Sequence, residues 1–214
     1  MTNQTENAMK EYINSAQNIL IICQNNANDS LATGISLAKY IEKTNSKTPE
    51  VVFKGDMSFV DPYLLGLYKV KESIEPRTLK LAINYKDTNI QTLNWHKDDK
   101  AGQIVFEILP VEKKFDLNRI THSFSGGEYD LIVTIGVKAL ADLEDLYEKN
   151  KAIFESAKII NIDTSNSNTS FGDLNIIDTK VDSLSGLIFS KFSEWNYIPD
   201  KDIVKSLLVG IAKS

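Results

Sequence analysis

Apolar and polar positions recur along the chain with more than one period, and each period predicts a kind of element. After a polar lead, residues 8–16 place apolar side chains at helical spacing. Residues 18–23 (N-I-L-I-I-C) then form a run apolar on both faces, the pattern of a parallel strand covered by helices. A polar turn over 24–29 leads into a predicted helix over 30–43, where Leu31, Ile35, Leu37, Ala38 and Ile41 recur behind Asp29 as its N-cap. Residues 50–54 (E-V-V-F-K) predict a second strand. Strand, helix and strand joined by short links make a βαβ unit, for which a right-handed crossover is expected.

From Thr78 to about Ile120 the period changes to two, with Leu79, Leu81 and Ile83, then Ile104, Phe106 and Ile108, around a polar turn at 97–102. That alternation predicts antiparallel hairpin structure, as an insert into the sheet or an extension of it. The α/β pattern returns with a strand over 129–137 (Y-D-L-I-V-T-I-G-V), a helix through 139–147, a second helix to 157 and a strand over 158–163 (K-I-I-N-I-D). A Ser/Asn/Thr-rich loop (164–170), a short strand (175–178) and helices over 183–195 and from 200 to the end complete the chain. No internal repeat, low-complexity tract or linker divides it. The expected class is therefore α/β, a Rossmann-like, mainly parallel sheet flanked by helices, in a single domain over residues 1–214 with the hairpin insert at about 78–120.

Composition narrows the function classes. Of 214 residues, 42% are hydrophobic and 25% charged, as in soluble globular proteins. The longest apolar runs end within about eight residues, short of the roughly 18–20 that span a bilayer, so no membrane association is expected. The N-terminus has no basic stretch followed by an apolar one, and the expected location is the cytoplasm. Cys23, His96 and His122 are the sole thiol and imidazole groups, so a metal site would have to lean on carboxylates. The net charge is −5 and just two of the 24 basic residues, Arg77 and Arg119, are arginines, which argues against duplex DNA as a partner. Tyr63, Tyr68, Trp95 and Trp195 are candidates for base stacking, yet stacking platforms normally accompany a basic groove, and Trp195 is expected to pack at the end of its helix. Residues 56–67, with Phe59, Pro62, Tyr63 and Leu64, offer an apolar patch to a partner. His122, in T-H-S-F-S-G-G-E, reads as a surface residue in a turn. Gly126 and Gly127 lack the strand-then-helix context of a dinucleotide fingerprint, so no nicotinamide site is inferred.

Three segments in order resemble the N-terminal domain of the DHH phosphoesterase family, which includes RecJ-type exonucleases, oligoribonuclease and nucleotide phosphatases, and cyclic-dinucleotide phosphodiesterases. Residues 159–178 (I-I-N-I-D-T-S-N-S-N-T-S-F-G-D-L-N-I-I-D) resemble the family's strand, Asp-His-His, Asn, Phe-Gly and short strand. Residues 19–37 (I-L-I-I-C-Q-N-N-A-N-D-S-L-A-T-G-I-S-L) are similar to its strand, His, Asn-Pro, Asp-x-Asp and small-residue helix start. Residues 129–137 match a strand that ends in Asp in the family, and residues 181–189 and 207–214 resemble the helix pair that follows. The resemblance implies a site for two Mn²⁺ or similar ions held by His and Asp, which activate water against a phosphodiester.

Carried over position by position, that ligand set is mostly replaced. The first His falls on Cys23, the Pro on Asn26, the first Asp on Ala27, and the second Asp is kept as Asp29. The strand-end Asp falls on Gly136, the Asp-His-His on Asp163, Thr164 and Ser165, and a last Asp, after Gly210 and Ile211, on Ser214 or beyond. A one-residue shift in the first motif, onto Gln24, Asn28 and Ser30, restores nothing. The resemblance therefore implies a degenerate domain without phosphoesterase catalysis, acting as a binding or assembly module with a protein partner or a second copy of itself. The alternatives are a metal-dependent phosphodiesterase or phosphatase acting on short oligonucleotides or cyclic dinucleotides, and a non-cleaving nucleotide sensor. No cofactor is expected; any Mn²⁺ or Mg²⁺ would sit at Asp29 and Asp163, and the ligand-binding candidates are Asp29, Asp163, Thr164, Ser165 and Asn168. Asp29 also reads as a helix cap, and Cys23 as an inert buried thiol. The family's C-terminal substrate-binding domain is expected to be absent.

Overall fold

The computed structural model of the protein describes residues 2–24, 27–75, 78–84, 86, 90–109, 118, 120–125 and 127–214. In chain order the elements are α1 (Thr2–Ser15), β1 (Ile19–Gln24), α2 (Ala27–Asn45), β2 (Glu50–Lys54), α3 (Pro62–Leu67), β3 (Val70–Lys71), β4 (Thr78–Ile83), β5 (Thr92–Asp98), β6 (Gln103–Leu109) and β7 (Ile120–Ser125). They continue with β8 (Leu131–Ile135), α4 (Asp145–Glu148), α5 (Lys151–Ser156), β9 (Lys158–Asp163), β10 (Leu174–Ile177), α6 (Leu184–Glu194) and α7 (Lys201–Ala212). Single turns of 3-10 helix occupy Met57–Phe59 and Leu140–Leu143. The chain divides into two compact units, one made of Met1–Glu75 with Gly127–Ser214 and the other of Pro76–Gly126.

The larger unit is built on a parallel six-stranded sheet of order β10-β9-β8-β1-β2-β3. Successive side chains of a strand point to opposite faces, and here both faces are covered. Ile19, Ile21 and Cys23 of β1 face one core cluster with Met9, Ile13, Leu31, Ile35, Leu187, Phe192 and Ile203, which come from α1, α2, α6 and α7. Leu20 and Ile22 face a second cluster with Leu143, Leu146 and Phe154, from the 3-10 turn, α4 and α5. This is the physical reason that N-I-L-I-I-C is apolar throughout: each face of β1 meets its own helical layer.

The strands run outward in one direction from β1 to β3, and in the other from β8 to β10. The reversal falls between β1 and β8, and in open α/β sheets the crevice outside the carboxyl ends of the strands at such a reversal is the usual ligand position. The strand ends at that crevice are Cys23 and Gln24 of β1 and Ile135 of β8, with Gly136 just beyond.

Several local expectations are corrected. Helix α2 begins at Ala27, so Asp29 lies inside its first turn and is not its N-cap. The helix expected over 139–147 is a 3-10 turn and the short α4, interrupted at Glu144, whose backbone sits at φ 48° and ψ −125°. Residue 122 is not in a turn: β7 runs to Ser125 and pairs antiparallel with β4, His122 opposite Leu81. The turn expected at Gly126 and Gly127 falls partly outside the described residues.

The smaller unit holds two antiparallel ribbons, β4–β7 and β5–β6. The second is a hairpin in which Leu93 stands opposite Ile108 and Trp95 opposite Phe106. Among the described residues no helix is long and apolar enough to cross a membrane.

Candidate functional site

At the end of β1, the Cys23 side chain is fully buried. A Cβ on Gly34 of α2 would overlap the Cys23 sulfur and lie 3.3 Å from Cγ2 of Ile21, so this glycine is what allows helix and strand to approach over the thiol. Burial pushes the thiol well above its ordinary pKa, opposed by a smaller effect of the Gly34 backbone, and keeps it protonated and unreactive. One prediction follows from this contact. Gly34→Ala costs about 1–3 kcal/mol by overpacking, and Cys23→Ala costs about 1 kcal/mol by deleting buried volume. Denaturant unfolding of the double variant is expected to show less than the sum of the two losses, since the added methyl fills the space of the removed sulfur; strict additivity would contradict the contact.

Gly136, where the resemblance places a metal-binding Asp, has φ +70°. A Cβ there would stand 2.5 Å from the backbone oxygen of Gln24 and 3.1 Å from Cδ1 of Leu184. The ends of β1 and β8 are thus closed over by the first residue of α6.

Asp29 is the residue that anchors that closure. Its side chain is buried, and its two oxygens accept hydrogen bonds from the backbone N–H groups of Leu184 (2.7 Å) and Ser185 (2.8 Å). The next two amides of α6 are satisfied by Ser183, its hydroxyl accepting from Gly186 N–H (3.0 Å) and its carbonyl from Leu187 N–H (3.0 Å). A carboxylate against the exposed amides and positive dipole end of a helix is favourable on both counts. Asp29 is therefore a cap, of a helix 155 positions further along the chain.

A small-residue seam continues behind it. The Ser206 hydroxyl donates to Ala32 O (3.1 Å), and the hydroxyls of Thr33 and Ser185 lie 3.2 Å apart. A Cβ on Gly210 would overlap the Ser185 hydroxyl and come within 2.9 Å of Ala32 Cβ, so α2, α6 and α7 meet at van der Waals distance.

Asp163, at the end of β9, is also buried and used locally. One oxygen accepts from Thr164 N–H (2.8 Å), the other from the Asn168 amide (2.7 Å). Asn168 makes four hydrogen bonds: its amide nitrogen donates to Val137 O (2.9 Å) as well as to Asp163, and its oxygen accepts from the Asn161 amide (2.8 Å) and from Ser170 N–H (2.8 Å). An asparagine side chain has two donors and two acceptor lone pairs, so all four are taken. Behind it, Thr134 donates to Asn161 (3.2 Å) from within the sheet. The Ser165 hydroxyl lies 2.9 Å from that of Ser167 and accepts from Ser167 N–H (3.2 Å). The loop is a closed network anchored on β8 and β9.

The remaining candidates do not assemble a metal centre. Ser214 is exposed, its hydroxyl donating to Ile211 O (2.9 Å). Asn26 and the side chain of Ala27 lie outside the described residues. His96 and His122 sit on β5 and β7 of the smaller unit. Among the described residues no three His, Cys, Asp or Glu side chains come together to hold a metal. A two-ion centre needs a dense set of anionic and imidazole donors to offset the repulsion between dications, and these residues do not fit one.

Beside the strand reversal lies a cleft of about 340 Å³ lined by Gln24, Phe53, Lys54, Gly55, Glu72 and Glu144. Lys54 pairs with Glu144 at 3.1 Å, and Gln24 donates to Asp142 O at 2.7 Å. With two carboxylates and one ammonium, this lining repels a phosphate rather than attracting one.

Of the four aromatics singled out, Trp195 is buried against Tyr40 and Phe192, as expected, and Tyr68 is half-buried with its one hydroxyl proton within reach of two acceptors, Pro49 O (2.8 Å) and a Glu42 carboxylate oxygen (3.0 Å). Tyr63 is half-buried, and Trp95 is the strongly exposed one. In the 56–67 segment Leu64 is core while Phe59 projects outward. The residues missed in sequence are Thr134, Asn161 and Ser185. An Asn inside the otherwise apolar I-I-N-I-D strand was the available signal, since a buried amide must find partners.

No protein-family model matches the chain, and no curated protein matches it. Among solved structures it is similar to an exopolyphosphatase-related protein from Bacteroides fragilis, with a TM-score of 0.59 and 12% sequence identity. The match covers 98% of this chain and 49% of that one, so the chain spans about half the length of this neighbour. The likeness extends to the α/β fold alone.

Proposed function

We propose that the chain is a DHH-phosphoesterase-type scaffold without the family's two-metal chemistry, serving as a binding or assembly module. The observation that carries this reading is that both retained carboxylates are committed to the protein's own backbone and side chains, Asp29 to the amides of α6 and Asp163 to Thr164 and Asn168. The positions that would complete an ion pair hold a buried thiol and a glycine with a positive φ. A scaffold can outlast its chemistry because function resides in the site.

The rival, a phosphodiesterase using Mn²⁺ or Mg²⁺ at Asp29 and Asp163, would have to place the ion on the lone pairs that their present partners leave free, on two side chains that are both buried. The nucleotide-sensor reading finds little support in the acidic lining of the cleft beside the sheet. The test is direct. The full chain, incubated with Mn²⁺ and a short RNA, a dinucleotide, a cyclic dinucleotide or inorganic polyphosphate, is expected to release no product. Mn²⁺-dependent turnover abolished by Asp163→Asn in a folded protein would overturn the proposal.

A further inference from the structure

The smaller unit exposes what a soluble protein normally covers. In an antiparallel pair, directly opposed residues share a face. One face of the β5–β6 hairpin therefore carries Leu93 with Ile108, Trp95 with Phe106 and, next to the turn, Lys97 with Ile104. The other carries Thr92 with Leu109, Asn94 with Glu107, His96 with Val105 and Asp98 with Gln103, polar apart from Val105 and an exposed Leu109 at its end. On the apolar face Leu93 is 59% exposed, Trp95 64%, Ile104 58% and Phe106 48%. Those four side chains leave on the order of 500 Å² of apolar surface in water, comparable to the largest patch on a typical monomer but gathered here on two strands. A two-stranded ribbon is marginal in water unless a further strand, sheet or helix covers its apolar face.

We infer that a second copy of this chain covers that face, the β5–β6 hairpins of two copies packing apolar side to apolar side about a twofold axis. This rests on the binding-module reading above and names its partner. Three features favour a copy. The face is self-complementary, as a twofold interface must be, because its centre is uncharged. Complete apposition of two such faces removes on the order of 1,000 Å² in total, about 500 Å² from the four side chains of each copy, which reaches the threshold of a specific interface. Charge agrees as well: the segment 76–126 has eight Lys and Arg against six Asp and Glu, while the rest of the chain is strongly acidic, so copies repel least when they meet through the smaller unit. A nucleic acid is the poorer fit, since the neighbours of Trp95 and Phe106 on this face are aliphatic and Lys97 is its one basic group.

Light scattering or sedimentation over a range of concentrations tests this on the full chain. The wild type is expected to dimerise. Trp95→Lys and Phe106→Lys are each expected to weaken association at least tenfold, while Asn94→Lys, on the opposite face of the same strand, leaves it unchanged. Circular dichroism confirms that each variant is folded, and the milder Trp95→Ala serves where the lysine variant is not. A wild type that is monomeric at all concentrations overturns the inference, and so does a dimer indifferent to both lysine variants. A monomer that binds single-stranded oligonucleotide through Trp95 overturns it in favour of nucleic acid. Hydrolysis measured on the same samples keeps the two readings apart: an inactive monomer removes self-association alone, and an active dimer removes the non-catalytic reading alone.

Discussion

Asp29→Ala is expected to lower stability by about 3–5 kcal/mol, because it strands two buried amides and removes a charge that sits against a helix N-terminus. For a chain of this length that is a fall on the order of 10 °C in the unfolding temperature. The geometry behind the figure is specific: Leu184 N–H and Ser185 N–H donate to the two carboxylate oxygens at 2.7 and 2.8 Å. Asp29→Asn keeps one acceptor oxygen and loses the charge, so its loss should fall between wild type and the alanine variant. Thermal and urea unfolding of the three proteins give the ranking. An alanine variant that unfolds with the wild type would show that the carboxylate does not anchor α6. The result also governs how activity data are read, since loss of any activity in Asp29→Ala follows from release of α6 without a catalytic role for the residue. Metal offers an independent check: a ligand that binds the folded state raises its stability by mass action, so millimolar Mn²⁺ should leave the wild-type unfolding temperature unchanged.

Which parts of this arrangement could be read from sequence follows from the range of the interactions involved. Strands β1, β2 and β9 were legible to within a residue or so, because a strand buried on both faces is apolar through most of its length, Asn161 of β9 being the buried exception. The period of two made β4 and β6 legible, but these are not partners: β4 pairs with β7, some forty residues away, and β6 with β5, whose alternation was not read, because alternation says nothing about which strands pair. The break at Glu144 escaped notice because the apolar spacing from Leu140 to Tyr147 is helical and the interruption lies in one residue's backbone. Of the candidate site, the departures from the DHH pattern that the chain resembles were visible residue by residue. The structural partners of Asp29 and Asp163 were not. Asp29 stands where a local N-cap would stand, and that its oxygens serve α6 is decided by a contact across 155 positions. Asn168 reads as an ordinary loop residue, and its four hydrogen bonds appear once β8, β9 and the loop are assembled.

Placing an Asp at the end of β8, where the resemblance to DHH phosphoesterases puts one, is expected to fail, and the way it fails separates a backbone that excludes the carboxylate from one that merely lacks it. At Gly136 the backbone has φ +70°, where an L-residue costs about 1–2 kcal/mol. A Cβ would also stand 2.5 Å from the Gln24 carbonyl oxygen and 3.1 Å from Leu184. Relieving that overlap means moving the end of β1 or the start of α6, at about 1–3 kcal/mol more. Gly136→Ala should therefore lose roughly 2–5 kcal/mol, and Gly136→Asp more, because its charge lies against a carbonyl oxygen in a largely buried position. Denaturant unfolding of the two variants, alongside hydrolysis assays with Mn²⁺, checks both halves of the expectation: lowered stability and no gain of turnover. An Asp variant with wild-type stability and new Mn²⁺-dependent cleavage would mean that the crevice between β1 and β8 opens readily. If the expected result holds, a two-metal centre here would require a different backbone at the end of β8 and a different seat for α6, together with further ligands. Local geometry, and not one absent side chain, would then be what separates this fold from two-metal catalysis.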